Sequence, residues 1–305
     1  MKNINIGNSG IIASEISLGC MRIADMSKKE ANLLINTALD EGITLFDHAD
    51  IYGQGKSEEV FADAIDMNPS IREKIIIQSK CGIRPGFFDF SKEHILNSVD
   101  GILKRLKTDY LDILLLHRPD TLMEPEEVSE AFEILSNSGK VKKFGVSNQN
   151  PMQIQLLNKF LKDKIIANQL QLSLTNTGMI DSGLNVNMEI APSIDRDGSV
   201  LEFCRLNDIT IQPWSPFQYG FFEGVFLNNP KFKELNDKID EFAKKYNVTK
   251  EAIAIAWILR HPAKMQPIVG TTNRDRIKAI CKASDIVLSR EEWYELYRAA
   301  GNKLP

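Results

Sequence analysis

Four residues in this chain could together move a proton to or from a carbonyl oxygen: Asp47, Tyr52, Lys80 and His117. Three of them close apolar runs: Leu45-Phe46-Asp47, Ile75-Ile76-Ile77-Gln78-Ser79-Lys80, and Ile113-Leu114-Leu115-Leu116-His117. A lysine at the end of an apolar strand cannot easily reach water, so it demands a nearby anion, and Asp47, one run earlier, is the obvious candidate. Tyr52 follows in the loop Asp47-His48-Ala49-Asp50-Ile51-Tyr52-Gly53. Its ordinary pKa of about 10 is too high for ready proton exchange at neutrality. A lysine cation about 4 Å away interacts by about 4 kcal/mol at an effective dielectric of 20. At about 1.4 kcal/mol per pH unit, the expectation is a tyrosine lowered by up to roughly three units, with burial opposing. Such a phenol delivers a proton near neutral pH, with His117 beside it to hydrogen-bond the carbonyl oxygen.

Each residue has a plainer reading. Asp47 and Lys80 could be a structural ion pair, Tyr52 a loop tyrosine, and His117 a satisfied core histidine. Lys80 could instead be a Schiff-base nucleophile in an aldolase. His48 and Asp50 invite a metal, but the chain has four histidines and neither a His-x-His nor a His-x-x-x-His pair among them, so no metal is expected.

These residues need a scaffold that brings strand ends together. Short β-branched runs recur at Ile16–Gly19, Thr44–Ala49, Ile75–Lys80, Asp112–His117, Phe144–Asn148, Ile166–Leu172, Thr210–Ser215 and Gln266–Thr271. Between them lie amphipathic segments; Ile95, Val99, Ile102, Leu103 and Leu106, for example, share one helical face. Uninterrupted strand–helix alternation implies parallel pairing with right-handed crossovers. Eight units in 305 residues favour a closed (β/α)8 barrel, spanning 1–305 as a single domain, because closure leaves no edge strand. Ahead of it, Ile4 to Ile11 reads as a β-hairpin capping the barrel bottom. Two connections, 173–198 and 217–230, are too long for ordinary βα turns and are expected to overhang the C-terminal rim. The last strand runs into Gly270-Thr271-Thr272-Asn273-Arg274-Asp275-Arg276, a Gly/Thr turn entering a helix with two arginines, which suits an anion.

A net charge of −4 and a pI near 5.7 argue against a nucleic-acid or anionic-membrane surface. Cys20, Cys81, Cys204 and Cys281 are scattered and form no CxxC pair, so a reducing compartment is expected. The opening Met1-Lys2-Asn3-Ile4-Asn5 builds no signal-peptide core, and the most apolar helix, Ala252 to Leu259, is too short to span a bilayer. The expected location is the cytoplasm. Oligomeric state is left open.

The set Phe46-Asp47-His48-Ala49-Asp50-Ile51-Tyr52-Gly53, Gln78-Ser79-Lys80 and Leu116-His117-Arg118-Pro119-Asp120 resembles the catalytic tetrad region of the aldo-keto reductases. The resemblance continues through Gly145-Val146-Ser147-Asn148, Asn168-Gln169-Leu170-Gln171, Gln212-Pro213-Trp214-Ser215-Pro216-Phe217 and Ile268-Val269-Gly270-Thr271-Thr272, and so covers nearly the whole chain. It implies hydride transfer between a nicotinamide cofactor and a carbonyl carbon. By that likeness Tyr52 is the general acid, Lys80 with Asp47 tunes it, and His117 orients the carbonyl. Ser147, Asn148 and Gln169 match positions that bind the nicotinamide carboxamide, and Trp214 the aromatic that stacks on its ring. Cys20 and Met21 match residues near the nicotinamide, and Ser215, Pro216 and Phe217 the loop along the pyrophosphate. Gly270, Thr271, Thr272 and Arg276 fall where the family holds the adenosine 2′-phosphate, which favours NADPH and leaves NADH possible. Gly270 stands where some members carry a lysine, and Ala279 with Ile280 replaces a Glu-Asn pair common in others. The implied substrate is a small aldehyde or ketone; the alternative to a reductase is an NADP-binding regulatory or accessory protein.

Overall fold

The computed structural model describes residues 1–304. The eight apolar runs become eight strands: β1 Ser17–Gly19, β2 Leu45–Asp47, β3 Ile76–Cys81, β4 Leu111–Leu116, β5 Val141–Ser147, β6 Ala167–Gln171, β7 Thr210–Trp214 and β8 Ile268–Val269. They form one sheet in the order β7-β6-β5-β4-β3-β2-β1-β8, and the paired strands are parallel. The ends of this sheet meet where the Gln266 N–H donates to the Ile211 carbonyl at 3.0 Å, bringing β8 against β7. The expected (β/α)8 barrel is therefore what the chain forms. Strand β5 begins three residues before the expected Phe144, because Lys142 and Lys143 hide the pattern. Both lysines reach carboxylates at the strand's entry, Lys142 to Asp112 at 2.9 Å and Lys143 to Asp163 at 3.3 Å.

The hairpin pairs Asn3–Ile6 with Ile11–Ser14. Its Ile6 and Ala13 pack with Leu45, Ile113, Leu115, Ile166 and Ala167, which seals the barrel at the end where strands begin. Gly7 holds φ +55°, and a Cβ there would sit 2.4 Å from the Ile166 carbonyl oxygen, so this contact requires glycine. The main core runs from Ile16 to Tyr297 and lies between strands and helices. The face expected for Lys92–Leu106 is the buried one: Ile95, Val99, Ile102, Leu103 and Leu106.

The two long rim connections differ. Segment 217–230 contains a small hairpin, Gln218–Tyr219 with Gly224–Val225, and lines the central cavity. Segment 173–198 leaves β6 at the same rim, as expected, but does not line the cavity. It folds into a helix, Gly178–Leu184, whose Met179 and Ile180 are buried, and Asp181 accepts a hydrogen bond from Tyr297 at 2.6 Å. That hydrogen bond ties the segment to the C-terminal helix, while at its start the Ser173 and Thr175 hydroxyls donate to the Gln218 carbonyl of the other rim connection. Among the described residues no helix is long and apolar enough to cross a membrane.

Candidate active site

Strand β3 carries Lys80 inward to the barrel mouth, where its side chain is wholly buried. An ammonium has three protons and no lone pair. Each finds one acceptor: Asp47 Oδ2 at 2.7 Å, the His48 carbonyl at 2.8 Å, and Tyr52 Oη at 3.1 Å. Burial pulls the Lys80 pKa down, but Asp47 and Tyr52 outweigh it, and the lysine ends above its ordinary value. It stays a cation throughout the neutral range.

Asp47, at the end of β2, is equally committed. Its Oδ1 accepts from Gln78 Nε2 at 2.6 Å and from Gln169 Nε2 at 3.0 Å. Behind it runs a line of buried amides across the barrel. Gln212 Nε2 donates to Gln78 Oε1 at 3.0 Å and to Gln266 Oε1 at 2.9 Å, and Gln266 Nε2 donates to the Ser14 carbonyl at 2.6 Å. Four inward glutamines thus replace the apolar layer that usually fills such a barrel. Linked through their amides, they hold the carboxylate in one orientation.

Tyr52 does fold over the ion pair, as expected, but its pKa moves the other way. Burial raises it, Lys80 opposes, and Asp47 adds to the rise, so the phenol ends above 10. Bound to its carboxylate, Lys80 presents Tyr52 with a dipole rather than a free cation, so its field is too weak to offset burial. His117 lies edge-on to Tyr52, ring centroids 6.0 Å apart. Burial, Lys80 and Arg118 hold its pKa well below 6.5, so the imidazole is neutral. Its Nδ1 is buried and has no hydrogen-bond partner among the described residues. A proton there would be an unpaired buried donor, which favours the tautomer protonated at Nε2.

These groups face a cavity of about 380 Å³. Asp47, Tyr52, His117, Met21, Ser147, Asn148, Gln169, Trp214, Ser215, Pro216, Phe217, Gly270, Thr271 and Arg276 all line it. Ser147 Oγ donates to the Gln169 carbonyl at 3.0 Å, Asn148 Nδ2 to Ser147 Oγ at 2.8 Å, and Trp214 Nε1 to Asn148 Oδ1 at 3.1 Å. Asn148 and Ser215 adopt φ +56° and +52°, left-handed turns that end β5 and follow β7 at the rim. Two expected contacts lie elsewhere. Cys20 is fully buried in the core, because its Sγ turns back toward the Leu18 carbonyl at 3.7 Å. Thr272 is exposed and off the cavity, since the turn into the helix Arg274–Cys281 points it outward. Arg276 is held by Glu251 at 3.3 Å. Ile280 is fully buried, so it serves the core.

Sequence reading missed Arg22, whose guanidinium donates to the Gly270 carbonyl at 3.1 Å, and Arg118; both line the cavity. It also missed the glutamine line, although a glutamine inside Ile77-Gln78 and Ile211-Gln212 was a usable signal.

Behind the Tyr52 loop lies a second buried polar group. Glu58, fully buried, accepts from Ser79 Oγ at 2.8 Å and from Arg105 Nε at 2.7 Å. Asp50 shares this space, and its Oδ1 is buried without a hydrogen-bond partner among the described residues. Burial first, then Glu58, pushes its pKa up to about 7. A carboxyl raised from 3.8 to about 7 costs the folded state nothing at low pH. The penalty builds as pH rises between these values and is complete above the folded pKa. Asp50→Asn is therefore expected to gain about 2–3 kcal/mol over the parent chain between about pH 5 and pH 8. Urea unfolding at both pH values measures it, and a constant difference would show that Asp50 is already ionised at the lower one.

The chain matches the family model described as Aldo/keto reductase family over residues 15–300. It is 36% identical over 301 residues to the oxidoreductase YcsN of Bacillus subtilis, with 94% of each chain covered. Its identity to the 6-dehydroglucose reductase of Agrobacterium fabrum is 34% over 304 residues, with 95% of each covered. Among solved structures, an aldo-keto reductase from Klebsiella pneumoniae in complex with NADPH matches with a TM-score of 0.78 at 25% identity, covering 97% of this chain and 94% of that one.

Proposed function

The chain belongs to the aldo/keto reductase family, and on that premise we propose that it reduces the carbonyl of a small aldehyde or ketone with NADPH, Tyr52 acting as general acid. The observation that carries this reading is the allocation of the Lys80 protons. Because Lys80 donates to Tyr52 Oη, that oxygen already accepts a hydrogen bond, and the phenol's own hydrogen is left for an acceptor in the cavity.

The residues present fit a nicotinamide dinucleotide. The cavity offers the amide and hydroxyl of Asn148 and Ser147, the aromatic wall of Trp214, and the cations Arg22 and Arg276 for phosphate. When bound, the nicotinamide supplies the hydride. The chain's own residues do the rest. Neutral His117 donates from Nε2 to the carbonyl oxygen and holds it near Tyr52. Tyr52 gives up its proton as negative charge develops on that oxygen, and Lys80 stabilises the phenolate that remains. A phenol raised above 10 is fully protonated at neutral pH, which suits an acid in the reducing direction.

The aldolase reading needs an unprotonated amine. Lys80 is paired with Asp47, raised in pKa and wholly buried, which argues against a Schiff base. A regulatory NADP-binding role would leave the tetrad geometry without use. The deciding test is NADPH oxidation followed against a broad carbonyl panel; tight NADPH binding with no turnover on any member would favour the regulatory role.

Arg276 supports the preference for NADPH. Arg276→Ala is expected to weaken NADPH about 10- to 100-fold and NADH by less than about threefold, since only the former carries a 2′-phosphate for the guanidinium. Fluorescence titration of both cofactors measures this, and equal losses would remove Arg276 from the phosphate.

A further inference from the structure

Arg118 is a half-buried cation in the wall of the cavity. Among the described residues, the other cavity arginines have partners, Arg22 the Gly270 carbonyl and Arg276 the Glu251 carboxylate, whereas Arg118 has neither a hydrogen bond nor an ion pair. Its guanidinium carbon lies 5.7 Å from the Trp214 ring centroid and 5.9 Å from that of Phe221. Aromatic faces at this range stabilise a cation by roughly 0.5–2 kcal/mol and restrain it, but they accept no conventional hydrogen bond. A guanidinium carries five N–H donors and does not lose its charge in proteins. Burial depresses its pKa, an expense that no fixed anion offsets.

Position decides what the missing partner is. Arg118 follows His117 directly in the chain, and Tyr52 is near enough to act on its charge. That places it with the reacting groups Tyr52 and His117. The wall nearby is apolar: Trp214 stacks on Phe222, ring centroids 5.7 Å apart.

We infer that Arg118 is a specificity-determining residue that selects carbonyl substrates bearing a carboxylate or comparable anion. This deepens the reductase reading and rests on it. The anion would accept the unused guanidinium donors while the carbonyl oxygen sits at Tyr52 and His117. Because a neutral analogue leaves those donors unpaired, discrimination is expected to be large for so small a chemical change.

The test measures kcat/KM with NADPH for glyoxylate, 4-oxobutanoate and 4-formylbenzoate, each beside its methyl ester. These pairs vary the distance from carbonyl to carboxylate while keeping the reacting group. The parent chain is expected to prefer at least one acid over its ester by about tenfold or more. In Arg118→Gln that ratio is expected to fall to about one, with most of the change in the acid's KM. A purely structural role in supporting Trp214 would lower acid and ester together and leave the ratio intact; that result overturns the inference. Turnover of esters with no acid preferred in the parent chain overturns it as well, while leaving the reductase reading standing. No turnover of acids or esters would count against both.

Discussion

Tyr52→Phe is expected to lower kcat by about 10²–10⁴-fold while NADPH affinity stays within about threefold. The substitution removes one oxygen, and with it the only hydroxyl that Lys80 contacts among the described residues. Phenylalanine keeps the ring, so its edge-on packing against His117 is preserved. A donor acting only as charge develops on the substrate oxygen lowers kcat and kcat/KM together, leaving binding almost untouched. Single-turnover NADPH oxidation and cofactor titration separate the two effects. A variant within tenfold of the parent in single-turnover rate would remove Tyr52 from the acid role.

The second large effect concerns the ion pair beneath it. Lys80→Met strips the cation from a site where both partners are almost fully buried. Asp47 is then left as an uncompensated carboxylate, and breaking one side of such a pair costs about 3–5 kcal/mol of stability. Reduction should fall at least about 100-fold, because the phenolate loses its counter-charge. The double variant Asp47→Asn/Lys80→Met removes both charges and is expected to recover most of that stability. Its activity should not return. Urea unfolding and NADPH oxidation on the same preparations test this, and a double variant regaining activity would show that the pair serves only the fold. Because the lysine's folded pKa lies above its ordinary value of 10.5, its share of stability is complete below that value and fades only as pH climbs through the folded one. Near neutrality the comparison is free of this titration.

Much of this was legible because the barrel is written in local pattern. A short apolar strand that runs into Asp, Lys or His is unusual, and Asp47, Lys80 and His117 announced themselves that way. The helix bearing Ile95 and Leu106 was equally plain from its spacing. Less legible were features whose members lie far apart and carry no charge. Gln78, Gln212 and Gln266 look like isolated polar residues until the barrel closes and stacks them. Segment 173–198 reads as a polar overhang; only the docking of Asp181 on Tyr297 reveals where it goes.

By itself, the order of residues determined the barrel, the identity of the four groups at its mouth and the pairing of Lys80 with Asp47, since periodicity and the cost of an unpaired buried charge are properties any reader of the chain can weigh. Tertiary structure alone decided the direction of the Tyr52 shift, the inward turn of Cys20 and the solitude of Arg118. Each depends on how much water is excluded and which partners arrive from distant strands, and those quantities exist only once the strands have closed into a ring.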